Sequence, residues 1–305
     1  MATTIVTNPT FSPTQISTCC LWLDAADAST VTTNNGNITN IKDKSPSNVT
    51  LSNATGFRYP NNSFNGNYPS FYNSNGGHSF FTTSHLGSNA TYALTTPFHV
   101  FFVAYQVSVL NDYGYIIDSA NGSGRPYILQ PNLQTPMGVG GTTPLCNAPC
   151  VVSIPFTNAT NALYVNGSNF YNGTTVSLTT GGITVANRFS DNEAWPGHIC
   201  ELIIYNSFLG TSQRQQVEGY LAWKWNAQVR QPSSHPYYYN QGVANLSLSA
   251  QIANSYVATN VFPILPTNFG NLSLWFDAAD PTTITTSGTN VTTWKDKSGN
   301  GYNAT

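Results

Sequence analysis

The stretch Leu21–Lys44, LWLDAADASTVTTNNGNITNIKDK, returns further along the chain as Leu274–Lys297, LWFDAADPTTITTSGTNVTTWKDK. The two copies align without a gap at a constant offset of 253 residues. A repeat unit of that length is a whole domain, because the units of solenoids and propellers are several-fold shorter. The sequence therefore predicts one complete domain followed by the opening of a second copy.

The repeat sets the expected domain boundaries along the 305 residues. Residues 1–15, rich in Thr and Pro, are expected to form an N-terminal arm, and residues 16–239 the first domain. Residues 240–270 are expected to be a linker, with a strand in it as one option, and residues 271–305 the truncated second copy. Since a third of a sandwich cannot bury a core, we expect either that the chain continues beyond Thr305 or that this part docks on a neighbour.

The chain carries very little charge. Charged residues make up 7% of it, and the formal net charge is -2. This composition argues against the basic surface of nucleic-acid-binding domains and against a polybasic membrane patch. Aromatic residues, at 13%, are sufficient for a packed core. Together with abundant Asn, Ser and Thr, they indicate an uncharged β protein of the kind common on virions and outside cells, and they do not indicate disorder.

Two features bear on location. Residues 1–15 lack the basic start and the apolar core of a secretory signal, and no apolar run is long enough to span a membrane. We therefore expect no membrane span, and a place on a virion surface or outside the cell. Either a leader was trimmed, or the protein leaves the cell by another route, such as inside an assembled particle.

The chain has five cysteines, which are Cys19, Cys20, Cys146, Cys150 and Cys200. Their odd number and the lack of paired CxxC spacing argue against a zinc site. Cys19 and Cys20 are adjacent and are not expected to bridge each other, whereas Cys146 and Cys150 are close enough in sequence to close a small loop. Free buried thiols are the alternative.

Short strands separated by Gly, Asn or Pro are predicted throughout the first domain. The most apolar run, Phe98–Val109, is expected to include a central strand that is buried on both faces. Asn-Gly pairs predict tight turns at Asn35-Gly36 and Asn166-Gly167. Thr174–Leu178 is expected to be a further strand.

One helix is predicted near the end of the first domain. Apolar residues recur at helical spacing over Val217–Trp225. Thr211 or Ser212 is expected to cap the N-terminus, and Pro232 is expected to end the helix. Residues 231–239 are then expected to be extended.

Several motifs can be compared with known domains; they are LW[LF]DAAD at Leu21 and Leu274, WKDKSGNG at Trp294–Gly301, GHICELIIYN at Gly197–Asn206, QRQQVEGYLAWKW at Gln213–Trp225 and HPY at His235–Tyr237. Together they resemble the laminin-G-like jelly-roll domains of the concanavalin A-like lectin and glucanase superfamily, of the kind found in large DNA virus and bacterial surface proteins. The resemblance implies an all-β fold: a two-sheet antiparallel jelly-roll sandwich with one C-terminal amphipathic helix.

Some members of that superfamily hydrolyse β-glucans with two carboxylates on one strand face. The glutamates of this chain are Glu193, Glu201 and Glu218, and the nearest approach to alternating acids is Asp191 with Glu193 in a polar loop. Glu201 is alone in its strand. We therefore expect a protein that is not an enzyme, and a glycoside hydrolase is the least favoured function.

The resemblance also suggests calcium, because such modules often hold this ion through Asp side chains at one rim. The candidate ligands are Asp24, Asp27 and Asp43. The alternative, which we favour, is that Asp27 caps a turn and Asp43 orders the loop around Lys44 and Ser45. No other cofactor is expected.

Exposed aromatic residues in Asn- and Gly-rich loops are candidates for stacking on sugar rings, with the protein core as their alternative; they are Tyr68, Tyr72, Tyr113 and Trp195. Sequons offer candidate glycosylation sites at Asn48, Asn53, Asn89, Asn121, Asn158, Asn166 and Asn172. The number of sequons exceeds chance only modestly in so Asn-rich a chain.

The sequence favours a non-enzymatic structural or surface protein. The main hypothesis is a virion component of a large DNA virus, a capsid-associated or fibre protein that acts through self-assembly or attachment. Its expected partners are copies of itself, other coat proteins and glycans, with no nucleic acid. The alternative is a carbohydrate-binding adhesin module of an extracellular surface protein.

Overall fold

The computed structural model divides the chain into two compact units, Met1–Leu246 and Ser247–Thr305. It describes residues 11–53, 57–59, 69–73, 81–82, 93–106, 114–119, 124–130, 133–139, 148–159, 161–188, 193, 195, 197–238, 272–278 and 280–305. The predicted linker lies outside the described residues, as does most of the predicted arm. Among the described residues, no helix is both long and apolar enough to cross a membrane.

Both units contain strands. Those of the first unit are β1 (Cys19–Asp24), β2 (Val31–Asn34), β3 (Asn37–Lys42), β4 (Thr50–Asn53), β5 (Phe57–Arg58), β6 (Phe71–Asn73), β7 (Phe81–Thr82), β8 (Phe98–Tyr105), β9 (Gly114–Asp118), β10 (Ile128–Gln130), β11 (Gln134–Thr135), β12 (Gly138–Val139), β13 (Cys150–Phe156), β14 (Asn161–Val165), β15 (Ser168–Gly173), β16 (Thr184–Val185) and β17 (His198–Tyr205). The second unit has β18 (Ile284–Ser287) and β19 (Asn290–Trp294). All pairs are antiparallel.

One layer of the first unit is built around β8. This strand pairs with β17 on one side and with β13 on the other, while β1 extends the layer beyond β17, and β14 and β15 extend it beyond β13. Every residue of β8, β13 and β17 is buried, which requires cover on both faces. The predicted central strand in Phe98–Val109 is confirmed, although the strand ends at Tyr105.

The other layer runs from β2 through β3, β4, β7, β16 and β9 to β10. The short strands β5 and β6 connect β3 to the end of β17. The apolar side chains of both layers form one core, which includes Leu21, Ile41, Phe57, Phe102 and Ile117. The prediction of an all-β sandwich with a single helix is confirmed for the described residues.

Both predicted Asn-Gly turns are present. Asn35 and Gly36 have φ values of 50° and 76°, and Asn166 and Gly167 have 49° and 75°. Positive φ at both central residues is the geometry of a type I′ turn, whose twist matches that of paired strands. The turns close the β2–β3 and β14–β15 hairpins. The predicted strand at Thr174–Leu178 is wrong, because this segment makes isolated hydrogen bonds rather than a ladder.

Helix α1 spans Thr211–Lys224, and its N-cap is Gly210, which makes no side-chain cap. The predicted caps, Thr211 and Ser212, are wrong, because both lie inside the helix. Pro232 does not end it either: Asn226 has φ of 54°, and the Ala227 N–H donates to the Ala222 carbonyl at 2.7 Å. This is a Schellman ending, in which a left-handed residue stops the helix.

The segment that follows α1 is also not extended as predicted. A 3₁₀ helix spans Gln228–Arg230, and residues 232–238 form consecutive turns. The His235 N–H donates to the Pro232 carbonyl, and the Tyr238 N–H donates to the His235 carbonyl. These turns fold the HPY motif back onto α1.

The described part of the second unit, residues 272–278 and 280–305, forms a hairpin rather than a sandwich. Its residues 272–277 copy β1 but form no strand, because they have no partner strand among the described residues. Leu274 is 48% exposed, whereas its counterpart Leu21 is fully buried, and Val291 is 56% exposed where Ile38 is buried. The repeat therefore keeps its local conformation without the core that its apolar residues serve in the first unit.

Candidate functional site

The DAAD and KDK motifs of the first unit meet at one lysine. Lys44 Nζ lies 2.8 Å from Asp24 Oδ2 and 2.9 Å from Asp27 Oδ2. It also lies 4.2 Å from the centre of the Trp22 ring, a cation–π distance. Partial burial lowers the pKa of Lys44, but the two carboxylates outweigh that effect and the pKa is raised. We call these four residues the aspartate–lysine cluster.

The second unit repeats this arrangement. Lys297 Nζ lies 2.9 Å from both Asp277 and Asp280 and 4.4 Å from the centre of the Trp275 ring. Hydrogen bonds from Thr282 and Lys297 lower the pKa of Asp280 to about 2. Because the same contacts form where the described residues build only a hairpin, the cluster depends on the local sequence of the repeat.

Asp43 holds the loop between Lys44 and Val49 in place through hydrogen bonds. Its Oδ1 accepts hydrogen bonds from the backbone N–H of Trp22 and of Ser45, both at 2.7 Å. Its Oδ2 accepts the Ser45 hydroxyl at 2.6 Å and the Val49 N–H at 3.4 Å. Asp27 caps the 3₁₀ turn Ala28–Thr30 by accepting the Ser29 N–H. These contacts agree with the structural alternative for Asp27 and Asp43.

The proposed calcium ligands do not converge on an ion site. Asp24 and Asp27 meet at the ammonium group of Lys44, and Asp43 is occupied by backbone and hydroxyl donors. In the ranges that the structure describes, no group of three or more His, Cys, Asp or Glu side chains is arranged to hold a metal ion. An open depression of about 410 Å³ beside the cluster is lined by Ser29, Thr30, Lys42, Asp43, Lys44, Ser45 and Asn48.

Glu201 is the centre of a buried polar network. Its side chain is fully buried on β17. Oε1 accepts the indole N–H of Trp22 at 2.6 Å and the hydroxyl of Tyr220 at 2.9 Å. Oε2 accepts the indole N–H of Trp225 at 2.6 Å and lies 2.8 Å from Lys224 Nζ. Sheet and helix are thus joined through one carboxylate.

Lys224 connects this network to the aspartate–lysine cluster. Its Nζ lies 2.7 Å from Asp24 Oδ1 as well as 2.8 Å from Glu201. Burial raises the pKa of Glu201, and the nearby Lys224 opposes this shift. Burial, reinforced by Glu201, also raises the pKa of Tyr220. The result is a continuous chain of alternating acidic and basic groups from the helix to the DAAD motif.

A second group of polar contacts, centred on Glu218, holds the HPY motif against α1. Arg214 NH1 lies 2.7 Å from Glu218 Oε1, and His235 Nε2 lies 3.2 Å from Glu218 Oε2. The Arg214 guanidinium also lies 3.6 Å from the centre of the Tyr164 ring. The Trp223 indole N–H donates to the Tyr237 carbonyl at 2.6 Å. The helix and HPY motifs therefore have structural roles.

An arginine–tyrosine cluster lies at the strands β9 and β10. Arg125 makes a bidentate ion pair with the buried Asp118, with distances of 2.9 and 2.6 Å. Its guanidinium lies 5.1 Å from the centre of the Tyr115 ring and 5.5 Å from that of Tyr127. Asp118 and Tyr115 hold the pKa of Arg125 above its usual value despite partial burial.

A second ion pair adjoins this cluster. Arg188 NH1 lies 2.6 Å from Glu193 Oε1, and the Arg188 guanidinium lies 5.9 Å from the centre of the Tyr115 ring. Both partners of this pair are about 30% exposed, and the side chain of Arg125 is 22% exposed. The arginine–tyrosine cluster thus consists of Tyr115, Asp118, Arg125, Tyr127, Arg188 and Glu193.

Of the four aromatic candidates for sugar stacking, the structure describes Tyr72 and Trp195. Trp195 is fully buried, which matches the core alternative. Tyr72 is half-buried and stacks on His198 with ring centres 4.1 Å apart. Tyr68 and Tyr113 lie outside the described residues. Tyr115 and Tyr127, which the sequence analysis did not single out, lie near the partly exposed side chains of Arg125 and Arg188.

The sequon asparagines also differ. Asn48, Asn158 and Asn172 are exposed, whereas Asn166 is buried and its Oδ1 accepts the Val151 N–H at 2.9 Å. The candidate glycosylation site at Asn166 stays a prediction, and its side chain is buried as part of the turn and of the core. Asn53 ends β4, and Asn89 and Asn121 lie outside the described residues.

Cys19 and Cys200 are buried free thiols. Burial raises the pKa of Cys19 to about 12 and also raises that of Cys200. Cys146 lies outside the described residues, so the proposed Cys146–Cys150 bridge stays a prediction. Neither free thiol has the environment of a reactive cysteine.

Sequence reasoning missed the Glu201 network and the arginine–tyrosine cluster. Trp22 and Glu201 are 179 residues apart in the chain, so no local motif joins them. The available signal was a single carboxylate inside an apolar strand, since a buried charge requires partners. The same reasoning applies to Asp118, which ends the apolar strand β9.

No family model and no curated protein matches the chain. Solved structures do. A sialidase of Trypanosoma rangeli in complex with sialic acid aligns at 13% identity and a TM-score of 0.47, over 68% of this chain and 33% of the sialidase. This chain therefore spans a third of the length of that protein.

Two carbohydrate-related domains also align. Domain 4 of a GH43 extracellular arabinanase from Geobacillus stearothermophilus, in complex with arabinotriose, is 15% identical with a TM-score of 0.43, over 64% of this chain and 95% of that domain. The CBM40 of a Ruminococcus gnavus sialidase, bound to alpha2,3-sialyllactose, is 12% identical with a TM-score of 0.31, over 40% and 80%. We assign the chain to no family on these alignments.

Proposed function

We propose that the first unit is a non-enzymatic, laminin-G-like glycan-binding module of an outer-surface protein, and that the arginine–tyrosine cluster is its binding surface. The observation that carries this proposal is the fixed, partly exposed guanidinium of Arg125. It is held by the buried Asp118 and lies near the rings of Tyr115 and Tyr127. Aromatic faces and well-oriented polar donors are the groups with which proteins hold sugars.

The contrast with Glu201 supports this choice of surface. Glu201 is fully buried, and its two oxygens are occupied by four donors of the protein itself. The ion pair of Arg188 and Glu193, in contrast, leaves about 30% of each side chain exposed. A glycan can therefore reach the arginine–tyrosine cluster without breaking the fold.

The carboxylates in the described part of the first unit argue against glycoside hydrolysis. A glycosidase needs one carboxyl group that donates a proton and a second that attacks or activates water. In the described part of the first unit, each acidic side chain is engaged by a cation or by hydrogen-bond donors, as at Asp118, Glu193, Glu201 and Glu218. Such groups serve structure and binding, and we propose no hydrolysis.

The test is a glycan array with the full chain, followed by calorimetry on the glycans that bind. We expect Tyr127→Ala and Arg188→Ala to weaken binding at least tenfold, because each removes a group from the proposed surface. Phe208→Ala is the matched control, since Phe208 is 51% exposed and lies outside the cluster. Binding that the first two variants leave intact would refute this surface.

A second candidate is assembly, for which the exposed apolar residues of the second unit are the specific observation. Leu274, Val291 and Tyr302 are 48%, 56% and 66% exposed. Such residues favour association, and we propose copies of the chain or other coat proteins of a virion as partners. Sedimentation of the chain at several concentrations tests this role. A monomer at all concentrations, unchanged by Leu274→Asn, would count against self-assembly.

A further inference from the structure

Lys224, Asp24 and Glu201 bring one amine into contact with two carboxyl groups. The amine nitrogen lies 2.7 Å from Asp24 Oδ1 and 2.8 Å from Glu201 Oε2. Asp24 and Glu201 are directly opposed residues of the neighbouring strands β1 and β17. Their side chains are 4% and 0% exposed, and that of Lys224 is 22% exposed. The indole and phenol rings of Trp22, Tyr220 and Trp225 border the same space.

We propose that Lys224 and Asp24 form an intramolecular isopeptide bond, with Glu201 as the proton carrier. A proton first passes from the Lys224 ammonium group to the Asp24 carboxylate, and the lone pair of the nitrogen then attacks Asp24 Cγ. A C–N bond forms, one C–O bond breaks, and the oxygen leaves as water. Glu201 takes a proton from the nitrogen and returns one to the leaving oxygen. An ammonium and a carboxylate thus become an amide and water, without an oxidant or a co-reactant.

Burial of the site favours the neutral forms that this reaction needs. Asp24, Asp27 and Glu201 provide three carboxyl groups, and Lys44 and Lys224 provide two ammonium groups. The carboxyl groups therefore outnumber the ammonium groups by one, and burial of the excess negative charge favours protonation of a carboxyl group. Burial raises the pKa of Glu201, which helps this group to hold a proton that it takes up during the reaction. Transfer of a proton between neighbouring groups also removes the cost of a buried ion pair.

The contacts also indicate which carboxyl group is attacked. Asp24 Oδ2 accepts from Lys44 Nζ at 2.8 Å, and Asp24 Oδ1 accepts from the Ala26 N–H at 3.0 Å. Donors placed in this way draw electrons from Cγ and stabilise the oxyanion of the addition step. Glu201 is instead fixed by two indoles and a phenol, which suits a group that moves protons and remains a carboxyl group.

The second unit provides an internal comparison. Asp277 and Lys297 lie 2.9 Å apart, as close as Asp24 and Lys44. Residues 247–305 contain no glutamate that could take the role of Glu201. We therefore expect no bond between Asp277 and Lys297. This pair tests whether a short distance is enough for the bond to form or whether a glutamate is also needed.

The experiment is mass spectrometry of the purified full chain. We expect the intact mass to be smaller than the sequence mass by one water molecule. We also expect trypsin to fail after Lys224 and to release a branched peptide that joins Asp24 to Lys224. Lys224→Arg and Glu201→Gln should restore the full mass, while Lys297→Arg, the matched control, should keep the loss of water.

Each other outcome refutes the proposal or one of its assignments. A wild-type chain of full mass, with Asp24 and Lys224 recovered in linear peptides, overturns it, and this result does not depend on how any variant folds. A branch through Lys44 or through the Glu201 carboxyl group overturns the assignment of the bonded pair. A bond that forms fully in folded Glu201→Gln, checked by circular dichroism, overturns the role of Glu201.

Discussion

Gly219 of α1 packs so closely against Tyr237 that a Cβ atom added at Gly219 would lie 2.4 Å from the Cβ atom of Tyr237. The helix therefore accepts the HPY segment only because residue 219 has no side chain. The Trp223–Tyr237 hydrogen bond at 2.6 Å lies one turn further along. Gly219 of the helix motif and Tyr237 of the HPY motif are therefore matched in shape.

We expect Gly219→Ala to destabilise the first unit by about 1–3 kcal/mol, the usual cost of overpacking a filled site. The gain in helix propensity, about 1 kcal/mol at most, offsets part of this cost. Chemical denaturation monitored by tryptophan fluorescence measures the change. Gly210→Ala is the control, because nothing lies within 4 Å of a Cβ at Gly210 and its φ is -63°. Equal stability of the two variants would contradict the close packing.

Glu201→Ala should be among the most destabilising substitutions in the chain. It leaves Trp22, Tyr220 and Trp225 without their acceptor and Lys224 without one of its two carboxylates. Removing one partner of a buried ionic network costs about 3–5 kcal/mol. The control is Glu193→Ala, whose ion pair with Arg188 is about 30% exposed and should be worth about 1 kcal/mol or less. The free energies of unfolding of the two variants decide the question.

Local contacts were predictable from the sequence, and remote ones were not. Asp27 accepts a hydrogen bond from a residue two positions away, and Asp43 accepts two from Ser45. The sequence-based alternative had Asp27 cap a turn and Asp43 order the loop around Lys44 and Ser45, because such contacts depend on the spacing of polar residues within one turn. Glu201 meets Trp22 across 179 residues, and no spacing rule specifies which strands will be neighbours.

Local sequence patterns likewise predicted the central strand from a continuous apolar run, the turns from Asn-Gly pairs, and the single helix from apolar residues at helical spacing, but not the helix ends. The helix stops because Asn226 adopts φ of 54°, and Asn is only one of several residues that tolerate this conformation. A proline six residues later was the more visible signal in the sequence. The buried Tyr115 and the partly exposed Tyr127 were missed because their exposure and their contacts with Arg125 depend on the neighbouring strands.

We expect neither added calcium nor EDTA to shift the Tm of the full chain. The oxygens of Asp24 and Asp27 that a calcium ion would need are held at 2.8 and 2.9 Å by Lys44. An ion would have to displace this ammonium group. A Tm that rises with calcium concentration, as linkage requires for an ion that binds the folded state, would contradict this and revive Asp24, Asp27 and Asp43 as ligands.

Acid should destabilise the first unit through its buried histidines. Burial lowers the pKa of His99 from 6.5 to about 3 and that of His198 to about 4. Below pH 6.5, and down to pH 3–4, these histidines bind more protons in the unfolded chain than in the folded chain. Their contribution to the free energy of unfolding is therefore fully present above pH 6.5 and is lost as the pH falls. Unfolding free energies at pH 7, 6, 5 and 4 measure the slope. His99→Gln should flatten the curve, and an unchanged slope would contradict the assignment to His99.

Gly36 and Gly167 provide a matched pair of substitutions. They occupy the same position of two type I′ turns, with φ of 76° and 75°, but a Cβ at Gly36 meets nothing within 4 Å, whereas at Gly167 it would lie 2.7 Å from the His235 ring. Alanine at either position carries the same left-handed strain, about 1–2 kcal/mol. We expect Gly167→Ala to cost about 1–3 kcal/mol more than Gly36→Ala, because His235 must move and weaken its contact with Glu218. Equal free energies of unfolding for the two variants would mean that the HPY motif does not lock the β14–β15 turn.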